Sequence, residues 1–501
     1  MRPPAFFVSG RGGKIGNFFV ILTESLPEGS RLSEKPVTMK LRLLVCLLLL
    51  LPLGGAAQGP VGVWDGTLSV NAARLRLVFR IAASAEGYTA TLDSPDQGVR
   101  GIPVDSVDFR DGALSLRIVP LDVSFRGNLL SEGMLLGEFT QSGQRTMLML
   151  SRRKAAARPQ TPQPPFPYAC REVRFPSRAE GVELAGTLTL PDSLPSRAAV
   201  VLVTGSGLQN RDEELFGHKP FLVIADRLTR NGIAVLRYDD RGFGLPKEEQ
   251  QRLLAGATTD DFALDALGAF DWLRAQPGLE GVKCGILGHS EGGTIAFLAA
   301  AADSDVAFVV SLAGGLIPGG RISLLQKRRL MEQQGLDPQL VDAACHLLER
   351  CHEELGQTSQ EELPARLPEL KASLAADPGV QVLPVPLCEN LLQVLDGAAA
   401  SPWVCRFLTL DPSEAIRQAG NRPVLAVNGS LDSQVDPDEN LAAIRQLLGD
   451  SGLLTVKEYH GLNHLLQPCE TGDVSEYEAI EVTVSEEVLA DLVAWLRALG
   501  R

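Results

Sequence analysis

Between residues 61 and 152, apolar and polar positions alternate in short runs: TLSV, LRLVFRI, YTATLD, LSLRIV and MLLGEFT. Gly, Asp, Asn and Ser break these runs about every ten residues, and no long helical period intervenes. The pattern predicts a small all-β domain, a barrel or sandwich, over residues 58–152. RRKAAARPQTPQPPFP follows, rich in proline and poor in bulky apolar residues. It reads as an extended, semi-rigid linker over residues 153–167. From Tyr168 the pattern changes. VRFPSRAEGVELAGTLTLP reads as a hairpin, AAVVLVTGSG as a buried strand entering a glycine turn, and FLVIADRLTRNG as a helix. IAVLRYDDRG, VKCGILGHS, VAFVVSLAGG and RPVLAVNGSLD read as further strands, with helices such as FALDALGAFDWLRAQ and EGGTIAFLAAAA between them. Strands alternating with helices predict a parallel sheet covered on both faces, an α/β domain over residues 168–501. The alternation stops at residue 316 and resumes near 415. The interval is charged-amphipathic helix and predicts a helical cap over the sheet's active edge.

Composition narrows the function classes. The 501 residues exceed one ordinary domain, and 45% hydrophobic with 22% charged residues describes a globular chain. A net charge of −14 argues against nucleic acid or an anionic membrane surface as partner. MKLR at 39–42, an apolar run and GGAAQ at 54–58 have the layout of a secretory signal. The run is shorter than the roughly 20 residues that a membrane span needs. The expectation is translation from Met39, residues 1–38 lying upstream of the true start, cleavage after Ala57 and an exported protein without a membrane anchor. Residues 1–57 hold seven basic and three acidic side chains, so their removal takes the net charge from −14 to −18.

Seven sparse cysteines then remain, too few for a disulfide framework, with room for one bridge. Cys345-His346 and Cys351-His352 have a six-residue step that turns them to different helix faces. HEELG at 352–356 lacks the second histidine of a zinc-protease motif. Both read as surface helix, and no metal or cofactor is expected.

The chemistry centres on GILGHSEGG, residues 285–293. A strand precedes Ser290 and a helix follows it, so the serine sits on a sharp turn and Gly288 and Gly292 permit close packing. A serine hydroxyl needs a base, commonly a histidine oriented by a carboxylate. His464, in GLNH, lies on a loop after the last strand, whereas His460 reads as structural and His289 as packing. Asp432 directly follows the strand VLAVNGS, at the carboxyl edge where such clefts form. Asp436, Asp438 and Glu439 read as helix-capping residues. The order Ser290, Asp432, His464 is that of the α/β-hydrolases. For the oxyanion, the backbone N–H of Glu291 is one donor and that of Ser206, in TGSGLQ, the candidate second.

VTGSGLQNRDEE, LRYDDRGFG, GHSEGG, NGSLDSQV and GLNH occur in this order and resemble the secreted bacterial α/β-hydrolase-fold carboxylesterases. The resemblance covers residues 58–501, is specific at the triad motifs and is weaker over the β-domain and cap. It implies an α/β-hydrolase fold with a helical cap and an N-terminal β-domain, and ester hydrolysis through an acyl-serine on Ser290, with Asp432 and His464 completing the triad. Leu245-Pro246 departs from the serine common after RGxG, which affects only that turn. The expected substrate is a small-molecule carboxylic ester. A peptidase or thioesterase with the same triad is the alternative within enzymes. A ligand-binding protein with a vestigial hydrolase domain is the alternative outside them.

Overall fold

In the computed structural model, residues 59–500 are described apart from short stretches at 71–72, 85–86, 95–98, 132, 154–156, 193–195 and 450–451. The segment at 39–57, read above as a secretory signal, lies outside the described residues. The chain divides into two compact units near residue 155.

The first unit is one antiparallel sheet of nine strands between Gly62 and Arg152. Successive strands pair as a meander, and the first, Gly62–Val70, also pairs with the last, Gln144–Arg152. The fourth and fifth strands, Val99–Pro103 and Ser106–Arg110, form the edges. Their connection bridges both sides: Val104 N–H donates to Ala90 O at 3.0 Å and Asp105 N–H to Arg117 O at 2.9 Å. The sheet is therefore curled around one core that includes Trp64, Phe79, Phe125 and Phe139. Period-two alternation puts these residues inside and, Val78 apart, their chain neighbours toward the outside.

In the second unit we number the strands β1 (Ala169–Pro176), β2 (Glu183–Leu190), β3 (Ala198–Val203), β4 (Ile233–Tyr238), β5 (Cys284–His289), β6 (Val309–Leu312), β7 (Val424–Gly429) and β8 (Leu454–Tyr459). The sheet order is β1-β2-β4-β3-β5-β6-β7-β8. β2 runs antiparallel to both its neighbours, and β4 to β8 and β3 are parallel. The central strands are wholly buried, which explains why they read as unbroken apolar runs. Alternate residues of β3 serve opposite faces. Val201 and Val203 pack in the cluster with α3 (Thr259–Arg274) and α4 (Glu291–Ala302). Val200 and Leu202 pack in the cluster with α1 (Pro220–Arg230) and α12 (Glu486–Leu499). This is the α/β-hydrolase fold.

The helical insertion has its own core, from Leu324 to Leu408, built by α5 (Gly319–Gln333), α6 (Pro338–Gln357), α7 (Leu363–Ala375), α8 (Val385–Ala400) and α9 (Pro402–Thr409). α10 (Ser413–Ala419), where the insertion was expected to end, belongs instead to the core beneath the sheet through Ile416 and Ala419. The surface-helix reading of the Cys-His pairs needs correction as well. Cys345 and Cys351 are buried in the insertion's core although they lie on different faces of α6, because α6 packs against both α5 and α8 and buries more than one face. All seven described cysteines are unpaired.

The proline-rich segment is anchored along part of its length. Arg158 donates to the carbonyls of Phe216, Glu478 and Ile480, and Gln160 bonds the backbone at Thr483 and Val484.

Candidate active site

Ser290 joins β5 to α4 at φ 56°, ψ −124°, a backbone conformation that side chains ordinarily avoid. The packing around it explains the two flanking glycines. A Cβ at Gly288 would lie 1.8 Å from Gly292 O, and one at Gly292 would lie 2.2 Å from Val203 O. The turn holds the serine half-buried at the carboxyl end of the sheet. It also begins α4 at Glu291, whose N–H has no acceptor within its own helix.

The turn after β3 comes against this elbow. A Cβ at Gly205 would sit 2.9 Å from Ser290 Cβ and 3.5 Å from its Oγ. Asp240, after β4, shapes the turn by accepting from the Thr204 hydroxyl at 2.8 Å and from Gln209 N–H at 2.6 Å. Gly205 N–H is taken by Glu213 Oε1 at 3.0 Å. Among the described residues Ser206 N–H has no acceptor, and its hydroxyl donates to Glu291 Oε2 at 2.7 Å. Burial pushes the Glu291 carboxyl up in pKa, against hydrogen bonds from Thr259, Ser206 and Trp403. The two sequence-predicted oxyanion residues thus adjoin the serine and each other.

His464 follows β8 and Asp432 follows β7, so adjacent strand ends bring them together. His464 Nδ1 lies 2.8 Å from Asp432 Oδ2, and both side chains are buried. The other carboxylate oxygen accepts Gln434 N–H at 2.8 Å and Val435 N–H at 2.9 Å. A carboxylate at Nδ1 fixes the proton there, leaving Nε2 as the basic nitrogen. Among the described residues, Ser290 Oγ makes no hydrogen bond to His464. Such bonds are often long before substrate arrives and tighten with it.

The remaining candidates separate cleanly. Asp436 caps α11 (Pro437–Leu448), accepting Glu439 N–H at 2.9 Å, and Glu439 pairs with Arg321. His460 is exposed, which removes its structural role. His289 does more than pack: it bonds Glu213 and the carbonyl of His464. Arg241 pairs with Asp265, while Asp239 pairs with Arg211. The insertion closes over these loops. Trp403 Nε1 donates to Glu291 Oε1 at 2.9 Å, Arg329 to Asp432 O at 3.2 Å and Gln326 to Gln434 O at 2.6 Å.

A model of the family described as serine aminopeptidase, S33, matches residues 218–470, just over half the chain. The chain belongs to this family. The matched segment holds the elbow, Asp432 and His464. An uncharacterized 31.7 kDa protein of Escherichia coli, from the traX-finO intergenic region, is 29% identical over 134 residues. That alignment covers 26% of this chain and 42% of the relative, so the chain spans less than half of that protein's length. Among solved structures, the Anabaena variabilis dienelactone hydrolase is 17% identical with a TM-score of 0.36, covering 66% of this chain and 97% of that one. A thermostable carboxyl esterase of Bacillus coagulans is likewise 17% identical, with a TM-score of 0.41 and coverage of 66% and 99%. A Pyrococcus furiosus esterase is 14% identical, with a TM-score of 0.39 and coverage of 70% and 99%.

Proposed function

We propose that this S33 hydrolase is exported and cleaves small carboxylic esters through an acyl-enzyme on Ser290. One observation carries the reading: the His464–Asp432 pair, at 2.8 Å, sits at the strand ends beside a serine held at φ 56°. In the reaction, Ser290 Oγ attacks the acyl carbonyl as His464 Nε2 takes its proton. The N–H groups of Glu291 and Ser206 receive the oxyanion. His464 returns the proton to the departing alkoxide, which leaves as the alcohol. Water then attacks the acyl-serine with His464 again as base, and the carboxylic acid departs. Asp432 holds the imidazole's tautomer and steadies the imidazolium. The basic-then-apolar leader at 39–57 supports export.

The family's description keeps peptide amides as the rival substrate class. An aminopeptidase needs a carboxylate free to hold the substrate's ammonium. The carboxylates nearest the elbow are otherwise occupied. Glu291 accepts from three side chains, and Asp240 is bonded within the turn and pushed up to about 8 by burial. Glu213 is buried against His289. On the insertion, Glu353 and Glu354 pair with Arg350. The test is kcat/KM for matched ester and aminoacyl-amide substrates. The ester is expected to exceed the amide by at least about 100-fold, since the amide's leaving nitrogen must be protonated as it departs. An equal or larger value for the amide replaces the esterase reading with the peptidase.

A further inference from the structure

Glu213 and His289 take no part in the steps above, yet both are buried beside the elbow, at 2% and 7% exposure. Buried polar groups persist where partners satisfy them, so the identity of those partners is informative. Glu213 Oε1 accepts Gly205 N–H at 3.0 Å, in the turn that carries the Ser206 donor, and lies 2.8 Å from His289 Nδ1. On the other side of the ring, His289 Nε2 donates to the backbone carbonyl of His464 at 3.0 Å. One hydrogen-bonded chain therefore links the oxyanion turn, the residue before the nucleophile and the loop of the base. The His289 and His464 rings lie 4.8 Å apart, centre to centre. Glu213 itself stands at φ 52°, a conformation that persists only where surrounding contacts hold it. Burial alone would lower the His289 pKa, but Glu213, the His464 carbonyl and the charge of Asp432 together raise it.

We propose that Glu213 and His289 are a positioning pair, holding the oxyanion turn and the His464 loop in register across the elbow. The proposal rests on the reading of Ser290, His464 and Asp432 as the triad. Asp432 fixes the imidazole of His464 through its side chain, and His289 fixes the same residue through its backbone. Without the pair, turn and loop drift independently of the serine. A misplacement near 1 Å is enough to cost about 100-fold in rate.

The test is steady-state ester hydrolysis by the full chain, with active sites counted by fluorophosphonate titration. Glu213→Ala and His289→Ala are each expected to lower kcat per labelled site about 10- to 100-fold while KM stays within about twofold. The double variant is expected to lose no more than the worse single variant, because both changes cut one chain. A purely structural role lowers the melting temperature and the labelled fraction but leaves kcat per labelled site unchanged. That result overturns the proposal, as do single losses that multiply in the double variant.

Should the alanine variants fail to fold, His289→Gln and His289→Asn carry the test. The glutamine amide reaches the position of Nε2 and keeps a donor for the His464 carbonyl; asparagine reaches only Nδ1. Glutamine is expected to retain about tenfold more kcat than asparagine, and equal values overturn the pair. Ser290→Ala, run alongside, separates the two claims. If it abolishes turnover while the 213 and 289 variants keep wild-type kcat, only the pair is wrong. If it retains turnover, the triad reading itself fails.

Discussion

At the scale of single residues, the site is a set of backbone accommodations. Ser290 occupies its strained turn because Gly288 and Gly292 allow carbonyls to come where a Cβ would collide. That requirement is local, and for this reason G-x-S-x-G was legible in the sequence. The placement of Asp432 and His464 at one edge of the sheet was legible because each follows a strand end. Glu213 was not legible. Its partner His289 is 76 residues away, and nothing in RDEE distinguishes a buried carboxylate from a solvated one. Asp432→Asn presents an amide to His464 Nδ1 and disfavours the tautomer that leaves Nε2 basic, so kcat should fall by about 10³-fold or more with KM little changed. Asp436→Asn keeps an acceptor for the helix cap and should leave kcat near wild type. The reverse ranking in steady-state kinetics would show that the carboxylates are misassigned.

At the scale of elements, the alternation of strand and helix could be read because parallel strands buried on both faces appear as unbroken apolar runs. The insertion's far edge could not. α10 mixes charged and apolar residues as its predecessors do, and only tertiary packing assigns Ile416 to the sheet's core. Cys345 and Cys351 were misread for a related reason, since a helix in a second core buries a face that a surface helix would expose. One loop carries a measurable signature. His218 is fully buried between Thr483 Oγ1 at 3.0 Å and Tyr477 O at 2.8 Å, and burial lowers its pKa to about 4. The unfolded chain binds a proton near pH 6.5 that the folded protein refuses until about pH 4. Its contribution to stability is therefore complete above pH 6.5 and lost as pH falls toward 4. Melting temperatures measured between about pH 7.5 and 4.5 should fall less steeply for His218→Gln than for wild type. Parallel slopes would count against this account of the loop.

At the scale of the whole molecule, a curled β-sheet unit and a capped α/β-hydrolase unit share one acidic chain. Both were legible from period-two and strand-helix patterning, because each unit buries its own core. The proposed export signal at 39–57 is tested by expression. Initiation at Met39 should export the protein as well as initiation at Met1, and N-terminal sequencing of the exported form should begin at Gln58. Retention of residues 1–38 would place the start elsewhere. In the proposed reaction one serine out of the whole chain performs the chemistry. Fluorophosphonate treatment of the intact protein, followed by peptide mass mapping, tests it most directly. The account predicts one adduct, on the peptide containing Ser290, and neither label nor turnover in a folded Ser290→Ala variant. An adduct on another residue, or labelling that survives in Ser290→Ala, would contradict it.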